Sequence, residues 1–366
     1  MLSKEEKLAR LRLYRSESIG PTRFWELINE YGSAVTVLTK GSGIFPRAEK
    51  KQNICGKERI EEEIAAMKAA GARFVFFEDE LYPPLLRNIP DPPPVLSFLG
   101  DKDKVLDLFQ MDVVAVVGAR NASIAGCKFC QILCKDLGAR DVVTVSGLAR
   151  GIDTCAHAES LETGTIAVVA GGINVIYPRE NTALYNEIIK KNGIFSEASF
   201  NTPPQPQLFP RRNRLIAGMS YGTAIIEAAE QSGSLITARM ALDYNREVFA
   251  VPGSPLDPRS IGCNKLIKEG AILLLSVNDI LEQLEAKKIT LRRQTSPILT
   301  KTIDIDLELT RKKILDSLSS IPITIDELIS CIKVSPQEVL SALLELELAN
   351  KIVRLHGQRV CLALGS

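Results

Sequence analysis

Three arginines, Arg211, Arg212 and Arg214, crowd around Asn213 in the run LFPRRNRLIAGM. A guanidinium is a planar fork of donors that matches the oxygens of a phosphate. The apolar residues from Leu215 to Met219 predict a helix that starts beside these arginines. The free amides and positive dipole end of a helix start favour an anion in the same place. Further on, Ser232-Gly233-Ser234 opens another helical segment. Its small residues leave amides that could cradle a second anion. The chemistry implied is a grip on something phosphorylated.

More cations recur at comparable places. Arg120 follows Gly118-Ala119, and Arg150 follows Ser146-Gly147 by three residues. Arg179 and Asn181 stand in YPREN. Aromatic residues are interleaved, Tyr177 two before Arg179 and Phe209 two before Arg211. Arginines alternating with rings suit single-stranded nucleic acid, whose exposed bases need flat partners.

Cofactor and catalytic patterns are poorly supplied. After Gly118 the next glycine is Gly126, so the G-x-G-x-x-G spacing of a dinucleotide site is missing. No P-loop spacing occurs either. The chain has two histidines, His157 and His356, in different segments. Cys155 and His157 are two apart and point apart on a helix. Asp153 and His157 are one turn apart, which reads as a capping carboxylate and a bonded imidazole holding the Arg150-Gly151 turn. Cys127, Cys130 and Cys134 share a helix face with Leu133 and Leu137. Small buried thiols pack well, so core packing is favoured over a metal cluster. We expect no cofactor, no metal and no catalysis.

Several elements must position these residues. From Asp112 to Ile280 the pattern alternates strand and helix. Val113–Val117, Val142–Val145, Ile166–Ala170, Thr223–Ile226, Val248–Val251 and Ile272–Leu275 are branched apolar runs. Strands buried on both faces belong to a doubly wound, mostly parallel α/β sheet. Ligands bind outside the C-terminal ends of such strands, where the arginines are expected.

This Rossmann-like domain is expected over residues 76–286, with Leu85 to Leu99 a connector. Residues 1–75 read as a small helical domain of the SAM or helix-hairpin-helix kind, with turns at Ile19-Gly20-Pro21 and Tyr31-Gly32-Ser33. Such a unit either grips a DNA backbone or holds partners, and the second role is favoured. A polar stretch, 287–304, reads as a linker. Residues 305–366 read as a winged helix, with a hairpin at His356-Gly357. Its recognition-helix candidate, Pro336 to Leu348, is acidic and lacks arginine, so protein contact is favoured over base reading.

Across 366 residues, 45 Lys+Arg against 44 Asp+Glu leave a net charge of +1. No global field draws in nucleic acid, so a binding site must be a local cluster. No apolar run reaches a membrane span, and no signal core opens the chain. A cytoplasmic protein is expected. Eight cysteines scattered over this length do not suggest a disulfide scaffold.

In order along the chain, VVGARNAS, SGLARGIDTCAH, YPRENTALYNEI, FPRRNRLIAG, EAAEQSGSLITAR, REVFAVPGS and GCNKLIKEGA resemble the DprA/Smf family of DNA-processing proteins. The resemblance spans about Tyr82 to Ile280. It implies a cytoplasmic bacterial protein that binds and protects single-stranded DNA during natural transformation. It also implies loading of the RecA recombinase, and a homodimer through the Rossmann-like domain. By motif, the DNA pocket would include Gly118, Arg120, Ser146, Gly147, Arg179 and Arg211-Arg212-Asn213-Arg214. The family commonly has lysine after the Tyr-Pro pair. Here Arg179 keeps the charge with another geometry.

A second class is a nucleotide phosphoribohydrolase of the LOG type, which carries PGGxGTxxE. Here GTAIIE has an extra residue before Glu227, and Met219-Ser220-Tyr221 replaces the glycines. One extra residue should turn Glu227 to the other face of a strand.

Overall fold

The computed structural model describes residues 2–40, 54–295, 307–319, 321–332, 334, 336–349, 351–355 and 359–363. It divides into two compact units, Met1–Lys288 and Ile289–Ser366.

The first unit opens with four helices, α1 (Lys4–Tyr14), α2 (Pro21–Tyr31), α3 (Ala34–Lys40) and α4 (Lys57–Ala69). Ser3 caps α1 by accepting from the Glu6 amide at 3.1 Å. Pro21 starts α2, where its missing N–H costs nothing. Gly32, at φ +82°, ends it with a turn that a side chain would resist. Phe24, Leu27, Val37 and Ile60 are fully buried together. Phe76 and Val95 from the neighbouring sheet join that cluster, so the helices are seated on the sheet.

That sheet has nine strands in the order β1-β2-β6-β5-β4-β3-β7-β8-β9. They are β1 (Arg73–Phe76), β2 (Val95–Gly100), β3 (Asp112–Val117), β4 (Val142–Ser146), β5 (Thr165–Val169), β6 (Gly193–Ser196), β7 (Gly222–Ile225), β8 (Glu247–Ala250) and β9 (Ile272–Leu273). β3 to β9 pair in parallel, while β2 runs antiparallel to both β1 and β6. The connecting helices are α5 (Lys102–Leu108), α6 (Ile124–Gly138), α7 (Ile152–Glu159), α8 (Thr182–Lys191), α9 (Leu208–Gly218), α10 (Gly233–Asp243), α11 (Ile261–Lys268) and α12 (Val277–Thr295).

Side-chain alternation splits the core into two layers. Val113, Ala115 and Val117 of β3 enter one cluster. Val114 and Val116 enter the other, with Cys130, Leu133, Cys134 and Leu137 of α6. Each fully buried Val or Leu contributes about 1.5–3 kcal/mol. The fold is therefore the Rossmann-like, doubly wound one expected. β3 has β4 on one side and β7 on the other, which makes their boundary the switch point of the winding.

Two expectations are corrected. Leu85 to Leu99 is more than a connector: beyond its prolines, Val95–Gly100 forms β2, fully inside the sheet. The stretch expected as a linker is helical at its start, because α12 continues to Thr295. Residues 296–306 lie outside the described residues.

The second unit holds α13 (Leu307–Ser317), β10 (Ile323–Thr324), α14 (Ile325–Ile332), α15 (Pro336–Leu348), β11 (Ile352–Leu355) and β12 (Arg359–Leu362). The strands order as β10-β12-β11. Ile314, Leu328, Val339, Leu343, Ile352 and Val360 close a small core. This is a winged helix. The expected turn at His356-Gly357 lies outside the described residues. On α15, Glu345 holds Arg311 at 2.8 Å and Glu347 holds Arg354 at 3.0 Å. Among the described residues, no helix is long and apolar enough to cross a membrane.

Candidate nucleic-acid interface

At the switch point lies a groove of about 1120 Å³. The loops after β3 and β4 form one wall, and the starts of α9 and α10 form the other. A smaller cavity of about 180 Å³ opens from it toward the end of β5. Arg120, Asn121, Tyr177, Phe209 and Arg212 line both.

The loops are held by buried polar groups. Asp153 accepts from the Gly147 amide at 3.2 Å and the Ala149 amide at 3.3 Å. His157 Nε2 accepts from the Leu148 amide at 3.3 Å, and its Nδ1 lies 2.7 Å from Thr165 Oγ1. That pattern makes Nδ1 the protonated nitrogen. Burial first, then the nearby Arg212 charge, pushes the imidazole down to about 3. Burial pushes the Asp153 carboxyl upward. Asp153 and His157 thus brace the Gly147–Ala149 loop just before the Arg150-Gly151 turn, and the expected cap is corrected: the α7 N-cap is Gly151, with no side-chain cap bond. Gly151, at φ +73°, would clash with the Ala119 carbonyl if it bore a Cβ.

Phe209 is the hub of the groove. The Arg120 guanidinium stands 4.8 Å from its ring centroid, within cation–π range. The Tyr177 ring lies 5.9 Å away at 60°, and the Arg212 guanidinium lies 6.0 Å from the Phe209 centroid. Arg120 is exposed, and Tyr177 is 46% exposed. A flat cation and two rings therefore share one open wall, where a base could stack.

The arginine run does not act as one unit. Successive helical residues turn by about 100°, so Arg212 leaves α9 on a different side from Arg211 and Arg214, which are three apart and both approach Glu197. Arg212 turns inward and is buried. It donates to the Gly147 carbonyl and, at 2.9 Å, to the Val168 carbonyl, while its Nε has no partner. Its guanidinium occupies the space where a Cβ of residue 147 would stand, which is why that position is glycine. Burial lowers its pKa to about 10, so it stays charged at neutral pH.

Arg214 points away from the groove, buried, with Glu197 at 2.6 Å and the Asp91 carbonyl at 2.6 Å. Tyr14 donates to the same Glu197 oxygen. Arg211 is half exposed, 3.7 Å from Glu197, and also lies outside the groove lining.

Other expected residues divide in the same way. Gly118, Asn213, Ser232 and Ser234 line the groove. Asn213 donates to the Gly233 carbonyl at 3.2 Å and ties α9 to α10. Ser232 caps α10 by accepting from the Ser234 amide at 3.4 Å, so that amide is already engaged. Gly147 and Arg150 line the smaller cavity, with Arg150 paired to Glu180 at 2.7 Å.

Ser146 and Asn181 do not reach the groove. Ser146 donates to the Val116 carbonyl at 2.6 Å inside the sheet. Asn181 donates to the Leu148 carbonyl at 2.9 Å beneath the loop. Arg179 is exposed but lies outside both linings. Sequence reasoning did not single out Asn121, although it adjoins Arg120 in a quoted motif. It also passed over Pro204 and Arg259, which line the groove from distant loops without any local signature.

Glu227 lies past the end of β7, rather than on the strand's other face as the spacing suggested. It accepts from the Ser123 amide at 2.8 Å and from the Ser123 hydroxyl, at the start of α6. Cys130 and Cys134 are fully buried in the core, and their mutual contact with burial pushes the Cys130 thiol up.

A doubly wound sheet with arginines and rings at its switch point defines a Rossmann-like protein with a groove lined by cations and aromatic side chains. The chain belongs to the DNA recombination-mediator protein A family, whose model matches residues 73–285. A DprA-like N-terminal HHH domain matches residues 4–66, and a DprA winged helix domain matches 301–358.

Protein Smf of Escherichia coli is 35% identical over 324 residues, 88% of this chain and 86% of that one. DNA processing protein DprA of Bacillus subtilis is 41% identical over 228 residues, 62% of this chain and 76% of that one. The crystal structure of DprA from Streptococcus pneumoniae superposes with a TM-score of 0.64 at 33% identity, covering 77% of this chain and 98% of that one. A Helicobacter pylori DprA structure, described for its single-stranded DNA binding mode, gives 0.53 at 28% identity, covering 59% and 97%.

Proposed function

We propose that this protein binds single-stranded DNA, without catalysis, in the groove beside Phe209. The carrying observation is the open wall in which Arg120 stands over the Phe209 ring with Tyr177 beside it. A ring and a guanidinium plane receive an unstacked base, and the free face of the guanidinium reaches its phosphate. Duplex bases are already stacked and hidden, so duplex binds less well. The Helicobacter pylori relative's description as a single-stranded DNA binder supports the same reading.

The groups that hydrolysis would need are committed elsewhere. Glu227 holds Ser123, the N-cap of α6, Asp153 braces a loop, and His157 is a buried neutral hydrogen-bond partner. A phosphoribohydrolase would need a free carboxylate at a glycosidic bond. Incubation of the pure protein with nucleoside monophosphates should release no base; stoichiometric or greater release would reverse the non-catalytic reading.

With the family resemblance, the binding reading extends to a biological role. The protein acts in the cytoplasm as a homodimer through its Rossmann-like domain. There it protects incoming single strands and hands them to RecA during natural transformation. Sedimentation of the pure protein tests the homodimer. A strand-exchange assay with RecA on strands coated by single-strand-binding protein tests the mediator step.

A further inference from the structure

A third cavity, of about 200 Å³, lies where the N-terminal helices meet the sheet. We propose that this notch is a second phosphate subsite for the same DNA strand, with Arg211 as its cation. The proposal rests on the reading of the groove as a single-strand site.

The first observation is the helix between the two spaces. Phe209, Asn213 and Ile216 of α9 face the groove. Leu208, Arg211 and Leu215 face the notch. These two sets are adjacent helical stripes, each at three- to four-residue spacing. Val169, Ala170 and Arg212 line both the notch and the groove's inner cavity. The ridge of α9 and the loop from Thr202 to Pro204 lie between them, and a flexible strand leaving the Phe209 wall can cross there.

The second observation is charge. Of the notch arginines, Arg15 is committed to Glu63 at 3.2 Å and to the Glu197 carbonyl at 3.1 Å. Arg212 is held from within. Arg211 is 54% exposed, and its carboxylate partner, Glu197, is 3.7 Å away. Glu197 is itself engaged by Arg214 at 2.6 Å and by Tyr14. Arg214 is shared between Glu197 and, at 3.4 Å, Asp91, so both carboxylates draw on it; Arg211, the exposed arginine of the notch, is the one able to turn toward a phosphate. The Ser199 and Thr202 side chains complete a polar rim.

The test uses the full-length chain and labelled oligo-dT of about 5 and about 20 nucleotides, bracketing the span of a compact single-strand site. Arg211→Ala should weaken the long oligomer about threefold to tenfold and reduce its salt slope by about 0.7, the contribution of one phosphate. The short oligomer should bind as to wild type. Thr202→Glu, which adds a negative charge to the rim, should repeat this pattern.

Wild-type affinity of both variants for the long oligomer would overturn the subsite. Equal weakening at both lengths would place Arg211 in the groove itself and would also overturn it. Phe209→Ala separates this failure from that of the groove: it weakens both lengths if the groove reading holds and neither if that reading is wrong.

Discussion

Tyr14, at the end of the first helix, and Arg214, in the ninth, meet on one oxygen of Glu197. This contact fastens the N-terminal helices to α9, which carries the ring and cation of the groove. The arginine run thus divides into Arg212 under the groove and, on the Glu197 side, Arg214 buried in this lock and Arg211 exposed on the notch.

Arg214 should accordingly matter for stability rather than for DNA. Its side chain is 6% exposed, as is appropriate to a committed ion pair. Replacement by methionine leaves Glu197 buried without its main partner. Losing one side of a buried pair costs about 3–5 kcal/mol. Urea unfolding should show that loss, while the salt slope for oligo-dT stays at the wild-type value in the folded variant. A variant of wild-type stability with a flatter slope would place Arg214 on the DNA.

His157 predicts a pH dependence with a definite sign. Its folded pKa is about 3, against an ordinary 6.5. Between these values the unfolded chain binds a proton that the folded one refuses. Stability from this group is complete above pH 6.5 and falls as the pH drops toward 3. The gap is worth about 5 kcal/mol at most, at ~1.4 kcal/mol per pH unit. Asp153, whose carboxyl burial pushes upward, acts in the opposite sense. Because Asp153 is present in both proteins, comparison of wild type with His157→Gln isolates the histidine. Denaturant midpoints from pH 7 to pH 4 should fall more steeply for wild type, and parallel curves would contradict this.

The winged helix should be dispensable for strand affinity. Its acidic α15 engages Arg311 and Arg354 through Glu345 and Glu347. A chain ending at Thr295 should bind oligo-dT within tenfold of the full chain, about 1.4 kcal/mol. A larger loss in anisotropy would assign DNA contact to this unit.

Much of the fold was legible because branched apolar runs repeat at βα spacing. The six strands expected between Val113 and Leu275 are all present. β2 was hidden by the prolines before it, and β6 by its brevity, Gly193–Ser196, after a lysine-rich helix end. The helical start of the supposed linker was hidden by its lack of an apolar stripe.

At the site, residue types suggested phosphate and base chemistry, but where each side chain goes was not readable. Arg211, Arg212 and Arg214 look equivalent in sequence. Their fates depend on Glu197, Gly147 and Val168, which are far from them along the chain. Glu197 has no local signature beyond following an apolar strand.

The most direct measurement is fluorescence anisotropy with labelled oligo-dT across a salt series, comparing wild type with Arg120→Ala and Phe209→Ala. The groove account predicts that Arg120→Ala weakens binding and flattens the slope of log affinity against log salt by about 0.7. It predicts that Phe209→Ala weakens binding by about 1–3 kcal/mol with the slope unchanged. Wild-type affinity and slope in both variants would contradict it and place the strand elsewhere on the protein.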